Sequence, residues 1–147
     1  MIQRIQSIWL LLAALAAVSL LFVPIIGLGS AEGYFTLNGA GLKNEALPTT
    51  NNYPLLISTI AAALISVANI FNFRNRKLQM RLIWINILLL IGLGLWMFLL
   101  GKSVTGLKTL DIEEGVFVIP VAIIFLFLAL RGINNDEKLI RSADRLR

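Results

Sequence analysis

The side chains that could do chemistry here are carboxylates, amides and basic groups, because the 147 residues include neither Cys nor His. The chain therefore lacks a thiolate nucleophile, an imidazole base and the softer ligands of zinc, copper and haem. Asp111, Glu113 and Glu114 form an acidic cluster. A hard cation needs more oxygen ligands than these residues supply, and the helix dipole already favours acidic residues before a helix N-terminus. We therefore expect no metal site and no cofactor.

Two amides, Asn69 and Asn86, stand out because they lie within otherwise apolar segments. Polar side chains in such segments commonly form hydrogen bonds between neighbouring helices. We therefore predict that Asn69 and Asn86 make interhelical polar contacts. A contact with a polar substrate is the alternative interpretation.

Four long apolar blocks must position these groups, and they cover residues 8–28, 54–73, 82–100 and 116–130. None contains a charged residue, and the chain as a whole is 58% hydrophobic and 14% charged. Soluble domains are about 45–50% apolar and about 25% charged. The first three blocks have the roughly 20 residues that cross about 30 Å of hydrocarbon. The fourth is shorter and would use Gly115 and a snorkelling Arg131 to complete the crossing. We predict an all-α membrane protein with a four-helix transmembrane bundle in residues 1–133.

The first block could instead be a cleaved signal peptide, since Gly29, Ser30 and Ala31 would form an acceptable cleavage site. The apolar region of a signal peptide usually has about 7–15 residues, fewer than this block contains. We therefore expect the first block to remain as a span.

The basic residues give the predicted spans an orientation. Alternate segments between the blocks carry ten Lys and Arg residues on one side and three on the other. The side richer in Lys and Arg is normally cytoplasmic. This places both termini and the loop 74–81 on the cytoplasmic side of the membrane, and it accounts for the basic loop without nucleic-acid binding. The three residues on the outer side are Lys43, Lys102 and Lys108.

The predicted outer loops contain signals for a small β element. Residues Tyr34–Leu37 precede an Asn38-Gly39 pair, which is typical of a hairpin turn. Residues 107–112 mix apolar and polar side chains at strand-like spacing. Residues 49–52 followed by Pro54 indicate a cap and a first-turn proline for the second helix.

The last segment, residues 134–147, is predicted to form a separate amphipathic cytoplasmic helix. Gly132 is placed to end the fourth helix, and Asn134 with Glu137 offers a capping box for a new one. Leu139, Ala143 and Leu146 would share one face. Such a helix would lie on headgroups or on the protein's own loop, or alternatively dock onto a partner.

Three stretches together resemble a known family. They are Ile2–Leu10, Arg76–Leu82 and Asp136–Arg147. They are similar to a family of small four-span membrane proteins of Bacteroidetes bacteria that is catalogued as a domain of unknown function. The resemblance extends over essentially the whole chain and implies the fold and a location in a bacterial inner membrane. It implies no activity and no site.

All three stretches lie on the predicted cytoplasmic side, so we expect a composite basic surface there to be the functional part. It would contact anionic headgroups or a protein partner through Arg4, Arg74, Arg76, Lys77, Arg81, Lys138, Arg141, Arg145 and Arg147. The expected function is a non-enzymatic accessory or scaffold subunit of a larger envelope complex. The alternative is a small oligomeric transporter or lipid-binding protein, although transporters usually keep a charged residue within a span. An intramembrane enzyme ranks third, because every carboxylate lies outside the predicted spans.

Overall fold

The computed structural model describes residues 3–30, 33–44, 50–73, 75–103 and 107–144. The helices are α1 (Gln3–Ser19), α2 (Tyr53–Phe71), α3 (Arg76–Lys102) and α4 (Val118–Asp144). Helix α1 contacts α2 and α4, and α3 contacts the same two helices, so the four follow one another around a bundle. A small antiparallel sheet covers one end.

Three helical segments are long and apolar enough to cross a membrane: Tyr53–Phe71, Arg76–Lys102 and Glu114–Leu139. Large apolar side chains also cover their outer surfaces, and Leu88, for example, is 67% exposed. Apolar residues on both the inner and the outer faces are typical of helices surrounded by lipid. Helix α1 is shorter than these three, and its 17 residues rise only about 25 Å.

The first apolar block is not one helix, which corrects the predicted span 8–28. Helix α1 ends at Ser19, and a turn leads into strand β1, Ile26–Ser30. Pro24 cannot donate a backbone hydrogen bond and disfavours helical geometry in the residue before it. The apolar residues that follow are buried because they join the sheet, and Leu28 is fully buried. Hydropathy alone cannot separate a buried strand from the end of an apolar helix.

The sheet confirms the predicted β element and is larger than expected. Besides β1, the strands are β2 (Gly33–Asn38), β3 (Gly41–Asn44), β4 (Thr50–Asn51) and β5 (Leu107–Ile112). They run in the order β4-β3-β2-β1-β5. In the β2–β3 hairpin, Asn38 pairs with Gly41, and the Asn38 side chain accepts hydrogen bonds from the Ala40 and Gly41 amides.

The sheet packs against the bundle where α3 ends and α4 begins. A Cβ atom at Gly101 would lie 3.6 Å from side-chain atoms of both Ile26 and Leu28. The Gly115 amide donates to the Pro24 carbonyl at 2.9 Å, in the single 3₁₀ turn (Glu114–Phe117) before α4. The start of α2 is capped as predicted, since the Asn52 side chain accepts from the Leu55 amide. We call the end of the bundle that packs against the sheet the sheet end.

Helix α4 continues from Val118 to Asp144, which corrects the prediction that Gly132 ends it and that Asn134 starts a separate tail helix. Gly132 has a packing role instead, because a Cβ atom there would lie 3.0 Å from Cγ of Gln6 on α1. The missing side chain lets α1 and α4 approach closely while α4 continues. Within the described residues, the predicted tail 134–147 is therefore an extension of α4 and not a separate element.

Candidate functional site

Polar side chains lie between the helices near the end of the bundle opposite the sheet, which we call the polar end. At that end, the buried face of each helix carries one buried polar residue: Gln6 on α1, Asn69 on α2, Gln79 on α3 and Asp136 on α4. Buried polar groups are costly unless they form hydrogen bonds. Their pairing therefore fixes how the helices meet at this end.

Helices α2 and α3 are joined by reciprocal hydrogen bonds. The Asn69 side chain donates to the Gln79 carbonyl at 3.1 Å, and the Gln79 side chain donates to the Asn69 carbonyl at 3.2 Å. Deeper in the bundle, Asn86 donates to the Ser66 hydroxyl at 2.7 Å. Both predicted amides thus contact the neighbouring helix. Their Oδ1 atoms are buried without a hydrogen-bond partner among the described residues.

Helices α1 and α4 are joined through Gln6, whose amide nitrogen donates to Oδ2 of Asp136. The Asp136 side chain is buried, and its Oδ1 atom has no hydrogen-bond partner in the described part of the chain. The space for Gln6 exists because residue 132 is glycine. The Gln6–Asp136 pair is therefore the counterpart, on α1 and α4, of the Asn69–Gln79 pair.

Beside these pairs lies a cavity of about 390 Å³, lined by Gln6, Ser7, Ile8, Ile70, Phe73, Arg76 and Gln79. Its volume falls in the range of about 300–1,000 Å³ that is typical of small-ligand pockets. Arg76 brings a positive charge to it, and the Nη1 atom of Arg76 is buried without a hydrogen-bond partner among the described residues. A guanidinium remains charged in proteins and can only donate. The cavity is therefore suited to an anionic group.

The other predicted basic residues differ from Arg76 in their surroundings. Lys77 and Arg81 on α3 and Lys138 on α4 are exposed at the polar end. Arg4 and Arg141 lie within α1 and α4. Arg74, Arg145 and Arg147 lie outside the described residues. The structure thus places Arg76 in a cavity and leaves three of its neighbours on the surface.

At the sheet end, the predicted acidic cluster does not converge on a common point. Glu113 accepts a hydrogen bond from the Tyr34 hydroxyl at 2.7 Å. This hydrogen bond is the main reason why the pKa of Tyr34 lies above its usual value, and burial and the charges of Glu113 and Asp111 add to the effect. The described residues contain no group of three His, Cys, Asp or Glu side chains that could hold a metal ion. Glu113, the residue that follows β5, therefore links that strand to β2.

Sequence analysis did not single out Gln6, Gln79 or Asp136. A signal was present, because each continues the spacing of a buried helix face. Gln6 precedes Leu10 by four residues, Gln79 precedes Ile83 by four, and Asp136 follows Ile133 by three. Residues three or four apart share a helix face. Extending the apolar faces past their last apolar residue would have found all three polar residues.

The comparisons with known proteins identify a family but no relative of established activity. No curated protein and no solved structure matches the chain. A family model described as "Domain of unknown function (DUF4293)" matches residues 2–146, in agreement with the resemblance noted in the sequence. Because the match covers nearly the entire chain, the protein belongs to this family.

Proposed function

We propose that the protein is a non-enzymatic accessory or scaffold subunit of a larger complex in a bacterial inner membrane, acting through the polar end of its bundle. In this proposal the chain crosses the membrane four times with both termini in the cytoplasm. The three long apolar helices support membrane insertion. The distribution of Lys and Arg supports the orientation, since ten of the thirteen lie in the segments that would be inside.

The observation that carries the proposal is the concentration of positive charge on one end of the bundle, around side chains whose positions are fixed by interhelical hydrogen bonds. Lys77, Arg81 and Lys138 are exposed there. Exposed charges on a rigid support favour binding to acidic protein surfaces. The one buried acidic residue of the described chain, Asp136, is held by an amide and not by a nucleophile or base, which fits a binding role.

The experiment that tests the partner is purification in mild detergent through a tag inserted between Asn44 and Thr50. A double variant, Lys77→Gln with Arg81→Gln, removes two charges from the polar end. The matched control, Lys43→Gln with Lys102→Gln, removes two exposed charges from the sheet end. We expect a stoichiometric protein partner that is lost in the first variant and retained in the control. Equal retention in both variants would refute action through the polar end.

The orientation has a separate test. A reporter that is active only in the cytoplasm, fused after Arg147, is expected to be active. An inactive fusion, together with activity of a periplasmic reporter at the same position, would reverse the proposed topology. This outcome would also remove the reason to expect a cytoplasmic partner.

The cavity beside Arg76 favours the lipid-binding form of the alternative function. It combines a charged side chain with apolar walls, as an amphiphilic ligand requires. A lipid ligand is compatible with a role as a subunit, because lipids often lie between membrane helices. If the protein purifies alone with bound lipid, the lipid-binding function becomes the leading interpretation.

A further inference from the structure

The cavity at the polar end changes from polar to apolar between its interior and its rim. Gln6 and Gln79 contribute buried side chains, whereas Ile8 is 53% exposed and Phe73 is 57% exposed. The apolar residues on the rim belong to the outer surfaces of α1 and of the turn after α2. A ligand that fits this gradient has a polar head that enters the cavity and an apolar part that remains outside, along the bundle.

Arg76 indicates that the polar head of this ligand is anionic. Its Nη1 atom is buried with no hydrogen-bond partner in the described part of the chain, so the cavity holds a donor whose hydrogen-bonding capacity is unused. The planar guanidinium matches phosphate oxygens through paired hydrogen bonds. Gln6 and Gln79 can add donors, because each amide nitrogen carries a second N–H beyond the hydrogen bond it already makes.

The position along the bundle indicates the source of the phosphate. Arg76 is the first residue of α3, and the apolar block 82–100 begins less than two turns later. In a membrane, this depth corresponds to the boundary between hydrocarbon and headgroups. The cavity is too small for a whole phospholipid but can hold a headgroup, whose acyl chains would then lie against Ile8 and Phe73.

We propose that the cavity lined by Gln6, Gln79 and Arg76 binds the phosphate headgroup of an anionic membrane phospholipid. Arg76 donates to the phosphate, the two glutamines donate to the neighbouring oxygens, and the apolar rim contacts the start of the acyl chains. The inference rests on the membrane insertion in the proposed function but does not require the protein partner. A free phosphate ion would satisfy Arg76 but would leave the apolar rim without a contact.

The test uses the purified full-length protein in an uncharged detergent, titrated with short-chain phosphatidylglycerol, short-chain phosphatidylcholine or inorganic phosphate. The apparent Kd of each is measured from the rise in unfolding temperature with ligand concentration. We expect phosphatidylglycerol to bind about tenfold or more tightly than the other two, since only it supplies both net negative charge and acyl chains.

The variant Arg76→Gln removes the charge from the cavity, and Arg81→Gln is its matched control, because Arg81 is exposed on the same helix. We expect Arg76→Gln to weaken phosphatidylglycerol binding about tenfold or more and Arg81→Gln to weaken it less than about threefold. Without lipid, Arg76→Gln is expected to unfold at no lower temperature than the unaltered protein, because the removed Nη1 atom has no partner. A purely structural role of Arg76 would lower that temperature instead.

A second variant, Arg76→Lys, keeps the charge but loses the paired donors, and its affinity is expected to fall between those of the unaltered protein and Arg76→Gln. Equal losses in Arg76→Gln and Arg81→Gln would show general surface attraction and overturn the proposal. Inorganic phosphate binding as tightly as phosphatidylglycerol would also overturn it, because the site would then be one for a free ion. Lipid affinity is measured without a partner, so loss of the proposed partner function would leave this result unchanged.

Discussion

Gly132 offers the sharpest test of the packing between α1 and α4. A Cβ atom at this position would lie 3.0 Å from Cγ of Gln6, a separation at which Gln6 must shift. Gly92 on α3 is the matched control, because a Cβ atom there would meet nothing within 4 Å. The perturbations are therefore Gly132→Ala and Gly132→Leu, each compared with Gly92→Ala.

The expected magnitudes follow from two opposing effects. Replacing a helical glycine with alanine stabilises a helix by up to about 1 kcal/mol, and this contribution is common to both positions. Gly92→Ala should therefore raise the free energy of unfolding by about 0.5–1 kcal/mol. At Gly132, overpacking costs about 1–3 kcal/mol, so the alanine variant should be about 0–2.5 kcal/mol less stable than the unaltered protein. Leucine would also displace Gln6 from Asp136, for a total loss of about 3 kcal/mol or more.

The assay is reversible unfolding of the purified protein in mixed micelles, followed by far-ultraviolet circular dichroism. A double-mutant cycle with Gln6→Ala identifies the cause, because shortening Gln6 removes the atoms that a Cβ at position 132 would meet. We expect Gln6→Ala to cancel most of the penalty of Gly132→Ala. A penalty independent of Gln6 would refute the close packing and would instead favour a helix that ends at Gly132.

Three further predictions concern individual contacts, and each is measured as a change in unfolding. Asn86→Leu should change the free energy of unfolding by less than about 1 kcal/mol, because it loses the hydrogen bond to Ser66 but also removes a buried Oδ1 without a partner. Ser66→Ala should cost about 1–2 kcal/mol, because it leaves the Asn86 amide unpaired. A larger loss for Asn86→Leu than for Ser66→Ala would contradict this ranking. Tyr34 has a raised pKa in the folded state, so its contribution to stability is present below about pH 10 and is lost as pH rises through the raised value. Tyr34→Phe should therefore lose less stability at alkaline pH than the unaltered protein. Tyr53→Phe is the control, and equal losses in the two variants would argue against the hydrogen bond to Glu113. Gly115→Ala should cost about 2 kcal/mol or more, because the new Cβ would lie 2.3 Å from the Pro24 carbonyl oxygen, and stability equal to that of Gly92→Ala would rule out this close contact.

The apolar character of the helices could be predicted from sequence because it depends only on local composition. Residues 54–73 and 82–100 fall almost entirely within α2 and α3 as expected. The hairpin around Asn38 was also predictable, since its turn chemistry is contained within a few residues. These features need no information about which distant segment packs against them.

Two errors arose where a distant contact decided the outcome. Residues 26–28 are apolar enough to continue a helix, but pairing with β2 and β5 makes them a central strand. Glycine is a residue type that often ends a helix, but Gly132 lies within α4, where the close approach of Gln6 on α1 leaves no room for a side chain. Strand β5 pairs with residues 26–28 from more than 80 residues away, and Gln6 is 126 residues from Gly132, so no local pattern could reveal either partner.

The candidate site shows the same division. The sequence by itself determined that positive charge concentrates in alternate segments, that acidic and basic residues are excluded from the apolar blocks, and that no Cys or His is available. Only the tertiary structure separated Arg76, with a buried and unpartnered Nη1 atom beside a cavity, from the exposed Lys77 next to it. Composition and charge are properties of each segment, whereas burial and hydrogen-bond pairing arise only when the four helices pack together at the polar end.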